Sequence, residues 1–341
     1  MKRFEHHNAR SVPEAIEILH YYKGNAKVNA GGTDLLGALR DRALPQYPDA
    51  VINIKTIGGL DYVEKDQSGL RIGALARLAD ITRSPEVRDD FKLLAEAAHS
   101  VATPHIRSMA TIGGNLAQDV RCWFYRYPQH IGGPMACLRK GGNFCSALAG
   151  DNRYHSIFGP APLTERPVGS DGPQSGPTRK GCFAVGPSDV AVALVALDAG
   201  IVTSKRTLSA EAFFKATAMK STVLGADELI TEIRVPNLPA AAVQRYDKFT
   251  LRKPIDFAIV SAASIITMDH GICTDARIVL GAVAPEPKRA HDAEEVLKGR
   301  HIDAEIAEKA AELALAGATS LRMNGYKVEI ATVLVKRAIS G

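Results

Sequence analysis

Four cysteines are the residues most able to do chemistry together. Cys122, Cys137 and Cys145 lie within 24 residues and Cys182 follows, giving C-x14-C-x7-C-x36-C. A zinc ribbon would pair its cysteines as C-x2-C, and the ferredoxin patterns are tighter, so neither fits. Four thiolates from one glycine-rich loop can still converge on a [4Fe-4S] cluster, because the loop supplies the geometry. The alternative is four buried free thiols, a common state of cysteine. The fifth, Cys273 in "DHGICTDAR", lies between strand candidates and reads as structural. An odd count in a large chain argues against a disulfide framework and towards reduced thiols or a metal site.

A second candidate centre is the pair of glycine turns "AGGTD" at 30–34 and "TIGGN" at 111–115. Each follows an apolar stretch and offers backbone N–H groups and a short polar side chain. Glycine accepts positive φ and has no Cβ to hold a ligand off the backbone. Two such turns could converge on one dinucleotide pyrophosphate, their amides acting as an anion nest; singly, each is an ordinary strand-to-helix turn. Neither is G-x-G-x-x-G and no G-x-x-x-x-G-K-S/T occurs, which leaves nicotinamide-type Rossmann binding and P-loop chemistry unsupported. Alone, Asp189 reads as an N-cap for the helix after it and Lys248 as a solvated charge. His6, His7, His99 and His105 have no acid or cysteine at catalytic spacing and take no role.

The elements that must position these residues follow from periodicity and punctuation. Ser11 and Glu14 in "SVPEAIEILHYY" form a capping box for a helix with Ile16 and Leu19 on its apolar face. The strand "AKVNA", the first turn, a short helix "DLLGALRD" and the strand "AVINI" at 50–54 make a βαβ-like unit. A second region runs from "LRIGAL" through a helix "DDFKLLAEAAHSVA" to the second turn. From Tyr127 to Gly181 periodicity is lost and Gly and Pro dominate, the mark of a functional or disordered loop. "SDVAVALVALDAGIVT" reads as helix then strand, and "STVLGADELITEIRVPNLPAAAVQ" as the end of that domain and a linker. Strands "DFAIVSAASIITM" and "ARIVLGAVA" with three later helices complete a mixed α/β domain.

At 341 residues, 46% apolar and 23% charged, the chain suits two or three globular domains. Its net charge of +5 is dispersed, so no nucleic-acid or membrane-surface role is indicated. No apolar run reaches about 18 residues and no h-region follows the N-terminus, which points to a soluble, cytoplasmic protein. A subunit can nonetheless be exported with a partner that carries the signal.

"KVNAGGTDLL", "TIGGNLAQ", "GPSDVAVALVALDAG", "YDKFTLRKPIDFAIVSAA" and "GAVAPEPKRAHDAEEVLKG" occur in the order found in the FAD-binding subunit of the molybdenum hydroxylases. The chain resembles that family, which includes xanthine dehydrogenase, carbon monoxide dehydrogenase, aldehyde oxidoreductase and 4-hydroxybenzoyl-CoA reductase, over nearly its whole length. The resemblance implies an α+β (α/β) fold: a two-part FAD-binding domain of the molybdopterin-dehydrogenase type, residues 1–57 and 58–225, then a C-terminal mixed α/β domain, 235–341. It implies that Lys27, Val28, Asn29, Ala30, Gly31, Gly32, Thr33 and Asp34 wrap the FAD pyrophosphate. Thr111, Ile112, Gly113, Gly114 and Asn115 would form the second phosphate-contacting turn. Asp189 resembles the flavin-site aspartate, Ile230 an adenine-side contact, Lys248 an isoalloxazine-side contact, and Val101 a further one.

The segment from "CWFYR" to "GDNRYH" is similar to an insertion in 4-hydroxybenzoyl-CoA reductase and some bacterial aldehyde oxidoreductases. It implies that Cys122, Cys137, Cys145 and Cys182 ligate a [4Fe-4S] cluster in a loop over 122–182. The run from Pro160 to Gly181 is longer than in that family, which leaves His155 as the one substitute for Cys182. The implied protein is an electron-transfer flavoprotein with a large molybdenum-cofactor partner, where substrate is chosen, and a small [2Fe-2S] partner. The assembly would be a heterotrimer or a dimer of heterotrimers, with a ferredoxin as the external carrier. Two other classes compete. A stand-alone FAD-dependent oxidase would need its own base, and none stands out; a non-enzymatic assembly subunit would have no use for intact turns with Asp189.

Overall fold

The computed structural model describes residues 1–132, 135–162, 181–253 and 255–340. Strands β1 (Glu5–Asn8), β2 (Ala26–Asn29) and β3 (Ala50–Asn53) form a three-stranded parallel sheet with β3 central, Ala50 pairing with both Glu5 and Ala26. Helix α1 (Val12–Tyr21) crosses from β1 to β2. Ser11 Oγ accepts the Glu14 amide at 3.2 Å, and the Glu14 carboxylate accepts the Arg10 amide at 2.7 Å, one residue before the reciprocal capping-box position. Short α2 (Leu35–Arg40) follows the first glycine turn. Strand β1, "EHHN", has no apolar alternation and exists through its ladder with β3, which is why periodicity does not reveal it.

The second unit contains β4 (Val63–Asp66), β5 (Gly69–Gly73), α3 (Leu78–Arg83), α4 (Pro85–Asp90), α5 (Lys92–His99), α6 (Pro104–Arg107) and α7 (Ile112–Leu116). The cysteine-bearing segment follows with α8 (Trp123–Arg126) and α9 (Gln129–Gly132), then α10 (Asp189–Ala196), β6 (Gly200–Thr203), β7 (Thr207–Ser209), α11 (Ala210–Phe213) and β8 (Ile230–Pro236). The strands form one antiparallel sheet in the order β4-β5-β8-β6-β7. Because β8 lies between β5 and β6, this sheet needs the chain as far as Pro236, past the boundary expected at 225. Ser84 caps α4 and Phe91 leaves helical geometry, so the single helix expected around residue 91 is two.

The C-terminal unit is the antiparallel sheet β9 (Ala242–Phe249), β10 (Val260–Asp269), β11 (Ile272–Gly281) and β12 (Lys288–Arg289), with α12 (His291–Leu297), α13 (Ala304–Ala314) and α14 (Tyr326–Ser340). Ala263 and Ile265 of β10 join the core that surrounds α10, whereas Ala262 and Ile266 join the core under the C-terminal helices. Burial on both faces explains why this strand reads as an almost unbroken apolar run. Every residue of α10 is buried, between α5 on one side and β10 and β11 on the other. Among the described residues no helix is long and apolar enough to cross a membrane.

The "GDNRYH" segment is held by the start of α14 and the residues just before it. Asn152 Oδ1 accepts the Met323 amide at 2.9 Å, and Asn324 Nδ2 donates to the carbonyls of His155 and Ser156 at 3.0 and 3.1 Å. Lys327, fully buried, donates from Nζ to the carbonyls of Ala282, His155 and Tyr154 at 2.6, 3.0 and 3.4 Å. The Ala282 and Tyr154 carbonyls thus depend on this one side chain, and the His155 carbonyl shares it with Asn324. Lys327→Met should lower the free energy of unfolding by about 2–4 kcal/mol, while Lys309→Met on the exposed face of α13 should change it by less than about 0.5 kcal/mol. Urea titration of the purified chain measures both, and equal small effects would show these carbonyls to be satisfied otherwise.

Candidate functional site

The two glycine turns meet. A Cβ on Gly31 would run into the Met109 carbonyl and lie 2.9 Å from Ala110 Cα, so the first turn rests on the backbone that leads into Thr111. On the facing side, a Cβ on Gly114 would sit 3.8 Å from Ala30 Cβ. Gly32 has φ +74°, a conformation that strains any L residue. Lys27, Val28 and Asn29 belong to β2 and deliver Ala30 to the turn. Among the described residues, the amides of Gly31, Gly32, Thr33 and Asp34 meet no backbone or side-chain acceptor, and the buried Asn29 Oδ1 is without a partner. Lys55 Nζ donates to the Ala30 carbonyl at 3.0 Å, adding a cation that no motif disclosed.

The second turn is the first turn of α7. Thr111 Oγ1 accepts the Gly114 amide at 3.2 Å, while the amides of Ile112 and Gly113 go to the carbonyls of Ala76 and Ala74, both at 2.9 Å. The amides of Ile112, Gly113, Gly114 and Asn115 are therefore committed inside the protein, and a Cβ on Gly113 would press on Ala74. The free amides belong to the first turn. Ile230, buried in β8, connects to this turn through Ala74, whose amide donates to the neighbouring Thr231 carbonyl at 3.0 Å.

Asn115, the last residue of the turn, accepts the Ser188 hydroxyl proton on Oδ1 at 2.5 Å, and Ser188 Oγ accepts the Ala191 amide at 3.0 Å. Ser188 is thus the cap of α10. Asp189 is left free to point into the protein, where its carboxylate accepts Tyr246 O–H and Lys248 Nζ, each at 2.7 Å. Lys248 Nζ also donates to the Ser100 carbonyl at 2.9 Å, next to Val101. The Lys248 and Asp189 side chains are only 9% and 5% exposed, so Lys248 is not a solvated charge. Burial raises the Asp189 carboxyl above the ordinary aspartate range despite the pull of Lys248. Beside the pair opens a cleft of about 580 Å³ lined by Ser100, Lys248, Thr250, Arg88, Lys92 and Lys253.

The four cysteines share one region. Cys137 and Cys182 are buried in a small apolar cluster with Val120, Tyr125, Ala161 and Ala184, and Cys122 packs against it. Cys122, Cys137 and Cys145 each stand immediately before a short helical turn. A Cβ on Gly142 would lie 3.0 Å from the Cys137 carbonyl, so glycine is what lets the loop fold back there. Cys182 pairs with Ala161 through reciprocal backbone bonds of 2.8 and 3.1 Å. That bridge, and not the length of the intervening run, fixes its position; the run itself falls largely on residues 163–180, outside the described residues. Burial pushes the Cys122 thiol up to about 12 and Cys137 to about 11. His155 Nε2 lies 3.2 Å from Cys122 Sγ, its imidazole pushed down to about 4 by burial and by Lys327. Cys273 is buried apart, in the C-terminal core.

A test of fit to a cluster starts from the donor set. No three described His, Cys, Asp or Glu side chains converge on single-ion geometry. An iron–sulfur cube takes each thiolate on a different iron, so its ligands surround it instead of meeting at a point. Three free thiols at separate helical turns and a fourth on the Ala161–Cys182 bridge, with His155 Nδ1 and Arg139 Nε buried and unpartnered beside them, fit that demand.

An ion network joins the cysteines to the first turn. The Asp34 carboxylate binds Arg121, just before Cys122, at 2.9 Å and Arg126, four residues after it, at 2.9 and 3.1 Å. Asp119 accepts Tyr125 O–H at 2.5 Å, and Arg139 and Ser221, each at 2.7 Å. Burial works to raise both carboxyls, but the arginines outweigh it and hold them below their ordinary range. Nothing in the spacing of these residues foretold the network.

Residues 2–238 match the family described as FAD binding domain in molybdopterin dehydrogenase, and 245–341 the CO dehydrogenase flavoprotein C-terminal domain. The chain is 32% identical over 304 residues to the FAD-binding subunit of an aldehyde oxidoreductase of Escherichia coli, covering 86% of each. It is 29% identical over 342 residues to the carbon monoxide dehydrogenase medium chain of Hydrogenophaga pseudoflava, covering 99% of this chain and 96% of that one. A solved structure of carbon monoxide dehydrogenase from that organism superposes with TM-score 0.73 over 99% of this chain and 96% of its own.

Removing one partner of the buried Lys248–Asp189 pair leaves an uncompensated charge. Lys248→Met should destabilise the chain by about 3–5 kcal/mol, and adding Asp189→Asn should restore at least half of that loss. Denaturant titration of both variants checks this; a single variant as stable as wild type would show that water reaches the pair.

Proposed function

The chain belongs to the FAD-binding subunits of the molybdenum hydroxylases, and on that premise we propose that it passes electrons through FAD and an adjacent [4Fe-4S] cluster. The observation that carries this reading is the gathering of Cys122, Cys137, Cys145 and Cys182 beside the glycine turn of an FAD-binding domain. Bound FAD supplies two-electron and one-electron chemistry, and the cluster single-electron passage.

The chain's own residues bind and orient. The open amides of Gly31, Gly32, Thr33 and Asp34, with Lys55 close by, suit the pyrophosphate. Asn115 holds Ser188, which orients α10 and so sets Asp189 against Tyr246 and Lys248. Val101 and Lys248 flank the flavin in this reading, and Ile230 contributes apolar surface. Cys182 is the fourth cluster ligand, since its bridge to Ala161 keeps it with Cys122 and Cys137, and His155 supports Cys122 from outside. The chain works beside a molybdenum-cofactor large subunit and a [2Fe-2S] small subunit in a heterotrimer or its dimer, and exchanges electrons with an external carrier such as a ferredoxin.

Anaerobically purified chain should contain one FAD and about four iron atoms. Serine at 122, 137, 145 or 182 should abolish the iron, and Cys273→Ser should leave it. Gly114→Val should lose FAD while keeping the wild-type circular dichroism, because a Cβ there presses on Thr111 Oγ1 at 3.0 Å and reaches towards Ala30, and meets no strand. Iron-free protein under strict anaerobiosis would reduce the reading to a flavin-only subunit. Full iron in Cys182→Ser with loss in His155→Ala would move the fourth ligand to His155.

A further inference from the structure

Asp34 stands in the glycine turn, yet its carboxylate faces the cysteine loop. Arg121 and Arg126, which hold it, bracket Cys122; the Cys122 carbonyl accepts the Arg126 amide at 2.9 Å, and the Asp119 amide donates to Asp34 Oδ2 at 3.2 Å. The Arg126 guanidinium is aimed by the loop's own backbone, donating to the carbonyls of Val120 at 3.2 Å and Asp119 at 3.1 Å. The network holds three guanidiniums, of Arg121, Arg126 and Arg139, and two carboxylates, of Asp34 and Asp119. With the loop in place the turn therefore lies beside an excess of one positive charge. With Arg126 withdrawn that excess is gone, and Arg121, bonded to Val185 at 3.0 and 3.2 Å, is left to offset the aspartate where the open amides await an anion.

We propose that Asp34 is a positioning residue that couples the two cofactor sites, so that an iron-loaded loop strengthens binding of the anionic FAD and FAD in turn retains the iron. The inference rests on the cluster reading above. Its physical basis is short. The apolar cluster around the cysteines is small, and a loop of this kind depends on its metal for order. When the metal leaves, Arg126 goes with the loop while Arg121 stays bonded to Val185, so the turn loses one positive charge that offset Asp34 beside the pyrophosphate in a partly dry site. Linkage then makes the effect reciprocal at equilibrium.

The test uses the full-length chain, with FAD as the probe and iron removed by anaerobic oxidation and chelation. Quenching of flavin fluorescence should show FAD bound about 5-fold to 100-fold more weakly by iron-free than by iron-loaded wild type. Asp34→Asn should bind FAD more tightly than wild type when both are iron-free, since the exposed carboxylate is gone, a gain that a merely structural role for Asp34 would not produce. A second measurement needs no variant: a chelator should strip iron from wild type several-fold faster without FAD than with it. Iron-loaded wild type whose FAD affinity is unchanged by iron removal, or equal stripping rates, would overturn the coupling and leave the cluster reading intact. Asp34→Asn that weakens FAD equally in both iron states would make Asp34 a direct flavin contact and overturn its role as a coupler. Wild type without iron overturns both readings, and the iron assay reports that separately.

Discussion

A Cβ on Gly31 would collide with the backbone at Met109, and much of the arrangement follows from its absence. The contact seats the small parallel sheet on the second unit and brings Ala30 over Gly114. Thr111, next in line, caps α7 and spends that turn's amides internally, while those of the first turn stay open. From Asn115 the order passes to Ser188 and the start of α10, and so to Asp189. One missing methyl group thus places a backbone with open amides and a buried carboxylate in a fixed relation.

Charge is managed in two buried pairings of different character. Asp189 and Lys248 are almost wholly out of water, where attraction must offset a large desolvation cost, and Tyr246 and the Ser100 carbonyl supply the further bonds that make this tolerable. Asp34 and Asp119 instead share three arginines in a network less deeply buried, where each carboxyl is held ionised. The first arrangement stiffens the core next to a cleft. The second ties the cysteine segment to the first glycine turn.

The cysteine loop has little apolar core of its own, and its order is borrowed from three directions. Arg121 and Val185 pair as an isolated bridge, Ala161 pairs with Cys182, and residues 152–156 are gripped by Met323 and Asn324, just before α14, and by Lys327 in its first turn. The "GDNRYH" stretch is thereby an anchor to the C-terminal domain, with only His155 Nε2 turned towards a cysteine.

The sequence by itself determined the family, the mixed fold and the candidate residues, because these rest on local chemistry: glycines where backbones must approach, caps before helices, cysteines in a run without periodicity. It also exposed β10 as an apolar strand, since burial on both faces leaves its mark on every residue. It did not reveal β1, whose four residues owe their conformation to a ladder with β3, nor the central place of β8 in its sheet. Nor could it say that the second turn's amides are already used, that Ser188 and not Asp189 caps α10, or that Asp34 answers to arginines about ninety positions away. Such pairings are long-range choices among many possible partners. Only the folded chain, by excluding water and fixing distances, decides which of them are made.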